Sequence, residues 1–169
     1  MKKHLLVSAM LLAVSLAAGE GYARAANAPK PISAKKFDAL ATAALEAMKK
    51  RAAELKVTGV AVVNYAPGDS IQEWTSKMAV VGRMKDAPTA TDKGNNLLGI
   101  AYAKAAEMAD TLKDSGTATR PPMTGEFGWQ GGVIARTRTG YVIVAFSGGK
   151  SEDDVQVSKA GLEVLKGAL

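Results

Sequence analysis

The chain has 169 residues, of which 47% are hydrophobic, 22% charged and 5% aromatic, and its formal net charge is +6; this is material for one globular domain and argues against a disordered chain or a two-domain enzyme. Cysteine is absent and the single histidine is His4, which excludes disulfides, a lipid-anchored amino-terminal cysteine, CxxC redox chemistry, cysteine-ligated zinc and c-type haem attachment. His4 falls in a segment expected to be removed, so Ser/His/Asp and Cys/His catalysis, HExxH zinc sites and His-rich metal centres are excluded as well.

Residues 1–25 read as an export signal: Lys2 and Lys3 precede an apolar run, Leu5 to Ala18, that leads to Ala23-Arg24-Ala25. The run has 14 residues, against the roughly 20 that a membrane-spanning helix needs, so a cleaved leader is expected and a permanent membrane anchor is not. Cleavage after Ala25 is favoured over Ala28, because the later site would leave Pro29 first. No twin-arginine pair is present, and export in the unfolded state to a periplasmic or secreted location follows. Loss of Lys2, Lys3, Arg24 and Glu20 lowers the net charge of +6 by two. The remaining Lys and Arg are scattered, with Lys49-Lys50-Arg51 the only cluster, and no basic stripe is interleaved with aromatics, so nucleic acid is not an expected partner.

After a short linker over 26–32, a single domain is expected over 33–169. Phe37, Leu40, Ala41, Ala44, Leu45, Met48, Ala52 and Leu55 advance by threes and fours and predict an amphipathic helix with Ser33 as N-cap. Its last turns are expected to carry Lys49-Lys50-Arg51, where cations suit the helix dipole. Val57 to Tyr65 predicts a buried strand, closed by a turn at Ala66-Pro67-Gly68-Asp69. Lys77 to Met84 predicts a second strand, and periodicity leaves open whether 71–76 extends it. Pro88 makes the following segment irregular.

A second, alanine-rich helix is predicted over Asn96 to Asp114, with Gly116 as its stop. Thr117 to Gly131 has no periodicity, and a connection of that length is a candidate lid or subunit contact. Gly132 to Arg136 and Tyr141 to Phe146 read as a hairpin, and Ser151 as the cap of a last helix whose first turn is Glu152-Asp153-Asp154. The order α-β-β-α-β-β-α implies an α+β fold, an antiparallel sheet of four to five strands covered by helices.

Motifs that carry chemistry are sparse. Gly148-Gly149-Lys150-Ser151 precedes a helix but lacks the spacing of a phosphate loop, since Val144 stands where glycine is required. The glycines around Trp129 do not form GxGxxG. Glu107 and Asp110 lie three apart on a helix, where such a pair reads as a solvated face. Met78, Met84, Met108 and Met123 read as core filling, and Tyr65, Tyr102 and Tyr141 as amphipathic packing residues.

Several segments together resemble one family. Arg83-Met84-Lys85-Asp86-Ala87-Pro88 is similar to the RMDGAP segment of the GlcG/HbpS-like haem-binding or haem-degrading family, and Ala103-Lys104-Ala105 looks like the KA pair of its middle helix. Gly131-Gly132-Val133, then Ser147-Gly148-Gly149, Glu152-Asp153 and Ala160-Gly161-Leu162, resemble its carboxy-terminal SGG…ED…AGL signature. The resemblance spans about Ser33 to Leu169. Asn64 stands where many members have Asp, and the interval from Asn64 to Arg83 is longer than usual.

The resemblance implies an exported haem-binding homo-oligomer that stores, senses or shields haem and aids its degradation, a binding protein before an enzyme. A non-haem small-ligand or assembly module is the alternative. With no histidine in the mature chain, haem recognition is expected to rest on cationic contacts to the propionates from Arg83 and Lys104. Any iron ligand must then be Tyr, Met, Lys or water. Tyr102 is the weaker choice, because it points about 160° away from Lys104 around the helix. The structural alternative is that Arg83 and Lys104 pair with Asp86 or Glu107. Phe127 and Trp129 are the candidate subunit contacts, aromatics being enriched at interface cores, and the alternative is that they tuck onto the core of their own subunit.

Overall fold

The computed structural model describes residues 30–117 and 120–169; the expected leader and most of the linker lie outside them. Its elements in chain order are α1 (Ala34–Leu55), β1 (Gly59–Pro67), β2 (Thr75–Val81), β3 (Lys85–Asp86), β4 (Asn95–Asn96), α2 (Leu97–Thr111), β5 (Gly132–Arg136), β6 (Gly140–Ser147) and α3 (Ser151–Lys166). The fold is α+β: four strands form an antiparallel sheet in the order β2-β1-β6-β5, and β3 and β4 form a small antiparallel ribbon beside it. That ribbon carries no apolar alternation, which is why sequence periodicity does not announce it.

Side chains alternate across a strand, and here both faces are covered. Ala61, Val63 and Tyr65 of β1 and Val142, Val144 and Phe146 of β6 pack against Phe37, Ala41, Leu45 and Met48 of α1 and Val157 and Leu165 of α3. Val62, Ile143 and Ala145, from the opposite face, meet Ala101, Ala105 and Met108 of α2. The central strands are therefore continuous apolar runs, as expected for strands buried on both sides. α1 and α3 approach closely because Gly161 has no side chain: a Cβ there would lie 2.7 Å from Met48 Cγ.

Helix ends differ in detail from the sequence expectation. Ser33 caps α1 as predicted, accepting from Lys36 N at 3.2 Å. The last turn of α1, however, holds no basic residue. The cluster sits earlier, where Lys49 pairs with Glu46 at 2.8 Å and Arg51 with Glu54 at 2.9 Å, so local ion pairs on a wet face replace the dipole explanation. Asn96 caps α2 through Gly99 N. Ser151 is the first helical residue of α3, not its cap; Lys150 holds the cap position without a side-chain bond. Asp154 instead reaches back to accept from Gly149 N at 2.8 Å.

Candidate functional site

One end of the four-stranded sheet, where β6 leaves through Ser147-Gly148-Gly149 into α3, borders a pocket of about 130 Å³. Leu97, Ile100 and Lys104 of α2 form one wall, and Asp86 and Asn95 of the ribbon another. Gln130 and Trp129 stand on the long loop, and Ser147, Ser151 and Asp154 complete the lining.

Lys104 is the floor. Its side chain passes the start of β5 at Gly131, where a Cβ would lie 2.3 Å from Nζ, and so crosses from the α2 layer to the α3 layer. There Nζ donates to Phe146 O at 2.8 Å and to Asp154 Oδ2 at 2.9 Å. Lysine and aspartate are each almost fully buried. Burial lowers the Lys104 pKa and raises that of Asp154, while each partner's charge opposes the shift. The expected partner Glu107 is engaged elsewhere: it is 3% exposed and accepts from Gly116 N at 2.9 Å. It is not a solvated surface acid; its helical spacing gave no sign of the turn folding back over it.

Arg83 stands behind the ribbon wall and is fully engaged. It donates through Nε to Asp86 Oδ1 at 2.7 Å, through Nη1 to Thr58 O at 2.7 Å and to Thr58 Oγ1, and through Nη2 to Gly148 O at 2.8 Å. The Arg83 hydrogen bond, followed by that of Asn95, holds the Asp86 carboxyl below its ordinary pKa. Arg83 and Lys104 thus meet at opposite sides of the same Gly148-Gly149 turn, through protein partners. Tyr102 lies apart from the pocket and shares a hydrogen bond with Ser76 Oγ at 2.8 Å.

The described part of the long loop, 120–131, is tied down by ion pairs. Arg120 donates to both carboxylate oxygens of Glu126, at 2.8 and 2.9 Å, and to Asp110 Oδ2 of α2 at 2.5 Å; Met123 N donates to Glu126 at 2.8 Å. This latch presents Phe127 and Trp129, whose ring centroids lie 4.8 Å apart and which remain 46% and 48% exposed. Beside the pocket, and sharing Asp86 and Asn95 with it, a shallower depression is lined by Met84, Lys85 and Lys93. The family resemblance singles out Arg83 and Lys104, with Asp86 as a possible partner, and the aromatic content of the long loop singles out Phe127 and Trp129; the parts of Asp154 and Ser147, which come from other elements, are foreshadowed by neither.

The latch has an acid limit. Hydrogen bonds from Arg120, then from Met123 N, lower the Glu126 pKa from 4.5 to about 2. A lowered carboxyl pKa contributes stability that is present above the ordinary value and lost as pH falls through the lowered one. Urea midpoints should therefore fall as pH drops from 4.5 toward 2, and Glu126→Gln should flatten part of that slope. An identical slope in the variant would contradict the latch.

Among the described residues no group of three or more acidic or histidine side chains is placed to hold a metal ion. No helix among them is long and apolar enough to cross a membrane. Compared with known proteins, the chain matches no family model, no curated protein and no solved structure.

Proposed function

We propose that the protein is an exported haem-binding protein, as its resemblance to the GlcG/HbpS-like family implies, and that haem is received at the rim of the pocket. The carrying observation is the Phe127–Trp129 pair, two aromatics in contact with their planes tilted by 32°, left half-exposed beside a pocket on the loop that Arg120 ties down. Large exposed apolar groups on a pinned loop are suited to a flat, apolar partner.

A porphyrin does not fit the interior, since about 130 Å³ falls well short of the roughly 300–1,000 Å³ of sites for drug-sized ligands. The reading is supported at the rim, where Phe127 and Trp129 offer ring faces and Lys85, Lys93 and Lys150 are exposed cations available to the propionates. Arg83 and Lys104, the expected propionate contacts, act in this proposal by holding the Gly148-Gly149 turn that shapes the mouth. Met84, 47% exposed, offers a thioether, whereas Tyr102 is turned to Ser76. Haem would supply iron redox chemistry; the chain's own residues bind and shield the ring. The expected homo-oligomer belongs to the same proposal, because a second copy packing over Phe127 and Trp129 would cover them and enclose the haem.

Titration of the purified protein with haemin, followed by absorbance and accompanied by a size measurement, should give a saturable spectral shift at one site per chain on an assembly larger than a monomer. A linear, unsaturable response would move the reading to the non-haem alternative.

A further inference from the structure

We propose that the outer edge of β2 is a self-association site, at which a second copy of this chain lays its own β2 antiparallel to the first and joins the two sheets into one. The two edges of the sheet are finished differently. At the β5 edge the turn after α2 occupies the outward backbone groups: Ser115 N donates to Gly132 O at 3.2 Å, Ser115 Oγ accepts from Gly132 N at 2.8 Å, and Asp114 Oδ1 accepts from Ile134 N at 2.9 Å. At the other edge β2 has β1 as its one neighbour in the sheet, and among the described residues nothing hydrogen-bonds the backbone of 75–80 from the outer side. The devices that keep such an edge from pairing are missing as well. β2 holds no proline, and its register with β1 runs unbroken from Gly59↔Val81 to Tyr65↔Thr75, so no bulge turns it aside. Its one charged side chain, Lys77, does not guard the edge: Nζ is drawn onto α1, where it donates to Asp38 Oδ1 and Thr42 Oγ1. Val80, by contrast, is 44% exposed.

The strand complements itself, which selects a second copy as the occupant. Thr75–Val81 has Met78 at its centre, and antiparallel pairing about a two-fold axis there sets Lys77 opposite Ala79, Ser76 opposite Val80 and Thr75 opposite Val81 of the copy. No like charges stand directly opposite one another, the arrangement that penalises a strand pair. The two faces also continue in kind across the join. Lys77, Ala79 and Val81 lie on the α1 side, with Ala79 and Val81 packed on that core, whereas Met78 packs on the α2 side, where Ser76 shares a hydrogen bond with Tyr102. Pairing brings Met78 against Met78 and covers the exposed Val80. The contact needs neither haem nor the aromatic rim. A strand pair by itself buries little surface, so the association is weak and concentration-dependent.

The test uses purified protein without haemin, carrying Phe127→Ala and Trp129→Ala, so that self-contact through the rim is removed and the outcome is separate from the haem reading. Sedimentation velocity over a rising concentration series should show a reversible monomer–dimer equilibrium. Adding Ser76→Lys and Val80→Lys, both at exposed positions, sets lysine opposite lysine in two symmetric pairs and should weaken the dimer about tenfold with the circular dichroism of the fold retained. Adding Ser76→Lys and Val80→Asp instead sets lysine opposite aspartate and should restore the dimer. A chain that stays monomeric would leave the edge to some other occupant and overturn the proposal. A dimer unchanged by the two lysines, or one that the lysine–aspartate variant fails to recover, would overturn it equally.

Discussion

Replacement of Lys104 by Met should cost about 3–5 kcal/mol of folding stability, because it leaves the Asp154 carboxylate buried without its counter-charge. Few single changes in this chain should cost more. The lysine links three layers: it arises from α2, passes the end of the sheet at Gly131 and ends on α3 and on the backbone of β6. Asp154→Asn should cost a similar amount, now by stranding the ammonium. The double variant should recover much of the loss, since neither residual group is then charged, and urea unfolding of the three variants and the parent measures the coupling directly. If the single costs add without recovery, the two side chains do not act as a pair.

The fate of Lys104 also shows where sequence reasoning reaches its limit. Its helix, its register and its inward face are legible from the spacing of Leu97, Ile100, Ala101, Ala105 and Met108, because one apolar stripe defines the face. Its partner is not legible: Asp154 lies 50 residues away, and the two meet only because Gly131 leaves a gap at the start of β5. Arg83 and Asp86 are separated by three residues and their pairing was open to a local reading. The further bonds of Arg83 to Thr58 and Gly148 depend on the sheet. The strands and helices of the main domain follow from their β-branched runs and helical periods, whereas the β3–β4 ribbon has neither. The long loop reads as irregular, but in its described part, 120–131, Arg120 ties Glu126 to Asp110 of α2.

The aromatic platform should govern haemin affinity. Phe127→Ala with Trp129→Ala should weaken haemin binding by about thirtyfold, roughly 2 kcal/mol, in line with the loss of a central aromatic contact. Stability should change little by comparison, since both rings are about half-exposed. Arg120→Ala, which releases the loop that carries them, should weaken haemin binding in the same direction. The absorbance titration read together with urea unfolding separates lost affinity from lost fold. Unchanged affinity in the double alanine variant would place haem away from this rim.

The most direct measurement uses the chain's two tryptophans. In a Trp74→Phe variant Trp129 is the remaining emitter, and its fluorescence can be followed as haemin is added. Haem bound at the rim lies against Trp129, so emission should be quenched saturably and reach its limit at one haemin per chain. Emission that stays constant while the absorbance titration saturates, or that falls without saturating, would contradict haem binding at this site.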